Sequence, residues 1–242
     1  MIQFAEPLRG LVSICTQAIQ LTQLSSEFKV PMLRDYQAWH DQYDDPNSAL
    51  AERLRIVQRR LDELLTTRPP GPIRLISMCA GQGRDVFGVM PTHQRRFDVT
   101  GALIELDTAN VRKARELAAL HGLTSLEVIA GDAALSDVYE HYVPADLVLA
   151  CGIFGNVSDA DVENTWRTVS MLCKPGAAII WTRHRREPNL NRQILGWLVE
   201  SGFEPLSFDA PENASLSGIG TAKLIGSPLA WRNHHRFFTF VR

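Results

Sequence analysis

Apolar and polar positions follow two different periods along this chain, and the change falls at one place. Up to residue 68 the apolar residues recur at helical spacing. Leu8, Leu11, Ile14, Cys15, Ala18 and Leu21 share one predicted helical face, and Pro31 interrupts the helical pattern after it. The segment "YQAWHDQYDD" sets Tyr36, Trp39, His40 and Tyr43 at helical intervals. In "SALAERLRIVQRRLDELL" the residues Leu50, Leu54, Val57, Leu61 and Leu64 form one stripe, with Ser48 or Asn47 as its predicted cap. "TTRPPGP" at 66–72 is a cluster of helix breakers and marks the predicted boundary between an N-terminal all-helical extension, residues 1–68, and a second domain, residues 73–242.

Beyond that boundary short β-rich runs alternate with helical ones. The predicted strands are Ile73–Met78, Asp98–Glu105, Ser125–Ala130, Ala145–Ala150 and Ala177–Thr182, and the helical stretches lie near 85–91, 109–121, 133–141 and 159–173. Continuous apolar runs such as "ADLVLA" and "AAIIW" suit parallel strands covered on both faces. The pattern predicts a doubly wound, Rossmann-like α/β domain. Near the end, "NLNRQILGWLVESGF" reads as a helix stopped at Gly202, and "EPLSFDA" and "HRFFTFVR" read as two further strands. The connection between those two, within residues 210–233, contains Gly and Ser and has the length of a functional lid.

Composition narrows the function classes. A formal net charge of −2 with 21% charged residues provides no strong field for DNA, RNA or a lipid surface. The four cysteines, Cys15, Cys79, Cys151 and Cys173, are scattered without a CxxC pair, so the expectation is reduced thiols and no metal site. No apolar run approaches the roughly 20 residues of a membrane span, and "MIQFAEPLRG" lacks the basic-then-apolar order of a signal peptide. These features predict a cytoplasmic protein.

The chemistry is expected at the carboxyl ends of the strands, where open parallel sheets bind ligands. "RLISMCAGQGRDV" is one such end. Gly81 and Gly83 permit a sharp turn and close approach of a ligand to the backbone. Glu105 ends the next strand, 22 residues past Gly83, and is placed to take the two hydroxyls of a ribose. Asp107 stands close by as the competing acid. Asp132, in "VIAGDAAL", ends the third strand, where it can accept from an adenine amine or cap the segment starting at Ala133. A dinucleotide fingerprint needs a third glycine where Val86 stands, and Asp85 in the first helical turn would oppose a pyrophosphate. S-adenosylmethionine has no phosphate and carries an ammonium and a sulfonium, so an acid there is favourable.

With these motifs in place, residues 73–182 resemble a class I S-adenosylmethionine-dependent methyltransferase. "LISMCAGQGRDV" resembles the glycine-loop motif, "GALIELDTANVRKARELA" the ribose motif, "VIAGDAA" the adenine motif and "LCKPGAAIIWT" the segment located after the active site. The resemblance spans almost half the chain and implies a seven-stranded sheet of order 3-2-1-4-5-7-6 with a reversed last hairpin. It implies cofactor contacts at Cys79, Ala80, Gly81, Gly83, Asp85, Glu105, Leu106, Asp132, Ala133 and Cys151. The sequence departs from the family at Ser77, where an acid is usual, and at Cys79, where a glycine is usual; Asp85 is the candidate to replace the missing acid. "CGIFGNV" lacks the Asn/Asp-Pro-Pro-Tyr/Phe signature of enzymes that methylate nucleic-acid amines, which argues against a nucleic-acid substrate.

Methyl transfer needs alignment of acceptor, methyl and sulfur, and a base only where the acceptor keeps its proton. Candidate catalytic residues are His184, in "TRHRRE", Asn156 and His40, with the His234-His235 pair as a further source of a base. Tyr36, Tyr43 and Arg183 are candidate substrate contacts, the two tyrosines within a helical cap, and Trp231 is placed to close the opposite side. The expected activity is transfer of a methyl group to an O, N or C acceptor on a small molecule. An NAD(P)-dependent oxidoreductase and a non-catalytic cofactor-binding protein of the same fold are the alternatives, with a protein or RNA acceptor as a further variant of the first chemistry.

Overall fold

The computed structural model describes residues 42–212 and 216–241. Helix α1 (Ala49–Thr67) begins at Ser48, whose hydroxyl accepts the Ala51 N–H, and strand β1 (Ile73–Met78) comes directly after the breaker cluster. Next come a single-turn helix α2 (Arg84–Phe87), β2 (Val99–Glu105), α3 (Thr108–Leu120), β3 (Leu126–Ala130) and β4 (Ala145–Ala150). The chain continues through α4 (Asp159–Thr168), β5 (Cys173–His184), α5 (Asn191–Glu200), β6 (Phe203–Asp209) and β7 (Ser217–Leu224).

The strands form one seven-stranded sheet of order β3-β2-β1-β4-β5-β7-β6. Strands β1 to β5 pair in parallel, and β7 runs antiparallel to both β5 and β6. Alternation along each strand divides the core in two. Ile76, Met78, Ala102, Ile104, Val148 and Trp181 face the layer of α4, α5 and the C-terminal segment. Leu75, Leu103, Leu147, Leu149 and Ile180 face α1, α2 and α3. Trp166 of α4 anchors the first layer, with ring centroids 5.7–5.9 Å from Phe154, Trp181 and Phe203. Strand order reverses between β1 and β4, so the crevice for a ligand opens at their tips.

Three sequence expectations change here. First, "HRFFTFVR" is not a strand: Phe237 and Phe238 are both fully buried, so the segment does not alternate. Its backbone instead straps the loops after β3 and β4, through Phe237 N–H to Ala134 O at 2.8 Å and Val241 N–H to Asn156 O at 2.9 Å. The last strand is β7, inside the predicted lid, so residues 210–233 do not form a lid as a whole. Its glycines read as loop signals, yet a Cβ on Gly220 would lie 2.3 Å from the Trp181 indole, so glycine is what lets that ring lie on the strand.

Second, the helix expected at 133–141 shrinks to a 3-10 turn at Ser136–Tyr139, because the C-terminal strap takes backbone groups of Ala134 and Ser136. The helix expected at 85–91 has four residues, and the one at 159–173 ends at Thr168 before a 3-10 turn. Third, the breaker cluster at 66–72 does not divide two bodies. Val57, Leu61 and Leu65 of α1 bury their side chains in the same core layer as β1, so this helix belongs to the sheet domain. The earlier predicted helices, with Tyr36 and His40, lie outside the described residues.

Candidate functional site

The glycine loop makes its turn through three left-handed residues: Cys79 (φ 51°), Gly81 (φ 57°) and Gly83 (φ 70°). A Cβ on Gly83 would lie 2.6 Å from the Phe87 ring and 2.8 Å from Leu103. The loop is tied to β2 by Ala80 N–H to Ile104 O at 2.8 Å.

The two acids at the tip of β2 take different partners. Glu105 Oε2 accepts the Gly81 N–H at 2.7 Å and its Oε1 accepts the Asp107 N–H at 2.8 Å. Asp107 is turned away and caps α3, with Oδ1 accepting from Asn110 N–H at 2.9 Å. Burial raises the Glu105 carboxyl above its ordinary pKa, and the N–H groups of Asp107, Gly81 and Leu106 pull against that rise. Leu106 projects at 68% exposure beside it. At the tip of β3, Asp132 both caps and reaches outward: Oδ1 accepts the Ala134 N–H at 2.9 Å, and Oδ2 lies 3.2 Å from Arg236 Nη2. Ala133 is buried, and its carbonyl accepts the Tyr139 hydroxyl at 2.6 Å. Cys79 lies within the fields of Glu105 and Asp132, and burial, aided by both charges, pushes its thiol well up.

A second group gathers at the tips of β1 and β4. Asp85, in the first turn of α2, is 9% exposed, and its Oδ1 accepts the Val86 N–H at 2.9 Å. Burial pushes its carboxyl up to about 6, against the Val86 and Asp85 N–H groups and, least of the three, the positive charge of Arg53. Arg53 projects from α1, and its Nη2 donates to the Tyr43 hydroxyl at 2.5 Å. Burial raises the Tyr43 phenol, and its environment includes Asp85 and Cys151. Arg84 covers the Tyr43 ring at 5.6 Å and ion-pairs with Asp44 at 2.6 Å, stitching residues 43–44 to the glycine loop. Burial first, and then Asp85, raises the Cys151 thiol. Neither cysteine is an activated thiolate, and they lie on opposite faces of the sheet, Cys79 packing with the α4 layer and Cys151 with the α1 layer.

A third group lies beyond β4 and β5. The Gly152 N–H donates to Thr182 Oγ1 at 2.8 Å, and Asn156 Nδ2 donates to Gly152 O at 2.8 Å, so Asn156 braces its own loop. His184 ends β5 against Gly155, where a Cβ would come 3.5 Å from the imidazole Cδ2. Arg183 is buried and reaches Asp159, at the start of α4, at 3.6 Å. In the same basic run, "TRHRRE", Arg185 donates to the carbonyls of Pro211 and Ser217. The His234-His235 pair is displaced from this group. His234 Nδ1 lies 2.9 Å from Asp137 Oδ1 at the 3-10 turn, and the His235 ring packs edge-on to Phe237. Trp231 donates to Asn233 at 2.5 Å and packs against the core layer of α4.

Sequence reasoning missed Arg53. It is one of four arginines within "ERLRIVQRRL" on α1, and nothing in their spacing separates it from Arg55, Arg59 and Arg60. Arg59 and Arg60 instead bind Asp209 of β6 at 2.8 and 2.7 Å.

Asp85 supplies a test of this geometry through pH. Its folded-state pKa is raised from 3.8 to about 6, so folding takes up a proton between those values. Stability from this group is full below about pH 4 and falls as pH rises toward about 6, then stays level. Asp85→Asn should therefore stabilise the protein above pH 7 by on the order of 2–3 kcal/mol, and the gain should fade as pH approaches 4. Urea unfolding at pH 4, 6 and 8 reads this directly; a gain that does not change with pH would contradict the burial of a charged carboxylate.

No family model and no curated protein sequence matches the chain. Solved structures do match its fold. An O-methyltransferase family protein from Burkholderia thailandensis aligns at TM-score 0.58 and 15% identity, over 80% of this chain and 61% of that one. Magnesium protoporphyrin IX methyltransferase (ChlM) from Synechocystis PCC 6803, solved with bound S-adenosylmethionine, aligns at TM-score 0.59 and 12% identity, over 78% and 90%. The [4+2]-cyclase SpnF aligns at TM-score 0.50 and 18% identity, over 71% and 82%. The fold is that of the class I S-adenosylmethionine-dependent methyltransferases.

Proposed function

We propose that this protein binds S-adenosylmethionine and transfers its methyl group to an O, N or C atom of a small molecule. One observation carries the reading. Three strand tips present acids around a glycine loop, and the middle one, Glu105, already bonds to that loop through Gly81 N–H. The residues fit the cofactor on their own chemistry. Glu105 offers two carboxylate oxygens to a ribose diol, Asp132 and the exposed Leu106 flank the adenine position, and the buried Asp85 suits a cationic group. The same Asp85 disfavours a pyrophosphate, which counts against the NAD(P) alternative.

When bound, S-adenosylmethionine supplies a methyl carbon activated by the sulfonium to which it is attached. The chain's part is to bind, orient and exclude water. The glycine loop and Glu105 set the nucleoside, and Asp85 fixes the opposite end. His184, at the end of β5 beside Gly155, is the residue assigned to the acceptor proton where the acceptor carries one. Asn156 holds the Gly152–Asn156 loop in shape beside it. Tyr43 and Arg183 are assigned to the acceptor side, with Tyr36 beside them as a substrate contact and His40 as the further catalytic candidate expected from sequence. No helix among the described residues is long and apolar enough to cross a membrane, and the proposed setting is the cytoplasm.

Calorimetry with S-adenosylhomocysteine and with NAD(P) tests the cofactor, and transfer of labelled methyl from S-adenosylmethionine to a metabolite extract tests the reaction. Binding of the first ligand alone, with label appearing in a small molecule, is the expected outcome. Binding without transfer to any extract would favour the non-catalytic alternative. The likeness to the cyclase SpnF shows only that this fold is also found in a protein with a different named reaction.

A further inference from the structure

The C-terminal strap carries a charged group to a strand tip far earlier in the chain. Arg236 Nη2 lies 3.2 Å from Oδ2 of Asp132, a residue 104 positions before it. The strap that bears this arginine is anchored in its middle and at both ends. Phe237 and Phe238 are fully buried, and the Phe237 carbonyl accepts from Asn164 Nδ2 at 2.7 Å and Thr165 Oγ1 at 3.0 Å, both on α4. On one side of this anchor, Ser136 N–H donates to His235 O at 2.9 Å and His235 N–H to Ser136 Oγ at 3.0 Å. On the other, Thr239 N–H donates to Asp161 Oδ2 at 3.3 Å and Val241 N–H to Asn156 O at 2.9 Å. The guanidinium is held as well, because its Nη1 donates to the Phe238 carbonyl at 3.4 Å.

Asp132 is therefore clamped by one donor on each carboxylate oxygen, Ala134 N–H on Oδ1 at 2.9 Å and Arg236 on Oδ2. Each oxygen of an ionised carboxylate has two acceptor sites. The clamp fixes the plane of the group and still leaves sites for a donor on a ligand. With Arg236 removed, a single N–H would hold the carboxylate, and the group could swing about that bond. We infer that Arg236 is a positioning residue that sets Asp132 toward the exocyclic amine of the cofactor's base, which makes the C-terminal strap a working part of the nucleoside site. The inference rests on the S-adenosylmethionine reading above, and it requires no contact between Arg236 and the ligand. The side chains of the pair are 47% and 35% exposed, and ion pairs that open to water contribute little to stability. The effect of this pair should thus appear in the choice of ligand and leave folding nearly untouched.

The test compares S-adenosylhomocysteine with S-inosylhomocysteine by calorimetry. The second ligand carries an oxygen, an acceptor, where the first carries the amine. On the unmodified protein the oxo ligand should bind about 10-fold or more weakly, the size of one hydrogen bond to a charged group. Arg236→Met should weaken S-adenosylhomocysteine about 5-fold and S-inosylhomocysteine no more than about 2-fold, so that the preference for the amine narrows. Arg236→Lys should fall between, because an ammonium offers a point charge without the fixed fork of a guanidinium. The melting temperature of either variant should stay within about 3 °C of the parent. In an Asp132→Ala background, Arg236→Met should cost no more than about 2-fold, since a residue that acts through the acid has nothing left to act on. Equal weakening of both ligands by Arg236→Met, or the same loss with and without the Asp132 carboxylate, assigns Arg236 a merely structural role and overturns the inference. Equal affinity of the unmodified protein for the two ligands overturns it as well, even if the variants do not fold. Failure of the unmodified protein to bind either ligand overturns the cofactor reading itself.

Discussion

A Gly83→Ala chain should unfold about 2–5 kcal/mol more easily than the parent and bind S-adenosylhomocysteine at least 100-fold more weakly. Two costs add at this position. The left-handed conformation at φ 70° penalises any Cβ by about 1–2 kcal/mol. The new methyl also meets Phe87 at 2.6 Å and Leu103 at 2.8 Å, and overpacking of that kind costs about 1–3 kcal/mol. Neither neighbour can yield readily, since both are buried in the core layer beneath the loop. The backbone must therefore shift, carrying the Gly81 N–H and Asp85 with it, and both ends of the proposed cofactor site lose their placement together. Urea unfolding and calorimetry on one preparation read the two effects. Unchanged binding in a destabilised variant would show that the loop does not cradle the ligand.

Glu105→Ala should lower cofactor affinity about 100-fold or more, whereas Asp107→Ala should change it by no more than a few-fold. A ribose diol on a carboxylate makes two charge-assisted hydrogen bonds, each worth about 1.5–3 kcal/mol. Glu105 faces the glycine loop through Gly81 N–H at 2.7 Å, which sets its carboxylate beside the proposed nucleoside site. Asp107 caps α3 through Asn110 N–H, and its loss should appear as about 1 kcal/mol of stability instead. The pair of variants thus separates a binding role from a folding role within three residues of chain. Calorimetry showing the reverse order would move the ribose contact to Asp107.

The legible part of this protein was the part governed by local pattern. The first four parallel strands could be read because each is a short, largely apolar run that ends in an acid or is followed within three residues by Gly, and their observed limits differ from the expected ones by one residue at Val99 and Leu126. β5 is the exception: it begins at Cys173, ahead of a register shift opposite Ala145 and Leu147. The glycine loop, Glu105 and Asp132 were visible because strand order places successive tips side by side. What escaped was structure set by distant partners. β7 contains glycines that look like a loop until the Trp181 ring is laid across Gly220. "HRFFTFVR" has strand composition, yet its two adjacent phenylalanines both turn inward, and its hydrogen bonds go to loops far earlier in the chain, as in His235 N–H to Ser136 Oγ.

Arg53 shows the same limit for chemistry. A helix repeats its arginines with a period that says only which face each occupies, and Arg53, Arg59 and Arg60 differ in what the opposing elements bring to them. β6 brings Asp209 to the last two, and the segment before α1 brings the Tyr43 hydroxyl to the first. Composition and periodicity sufficed for the layers, the parallel strands and the acids at their tips, because burial and backbone hydrogen bonding act on neighbouring residues. Packing across the sheet was needed to assign β7, the C-terminal strap and the Arg53–Tyr43–Arg84 contacts, because those depend on side chains that meet only after the chain has closed on itself.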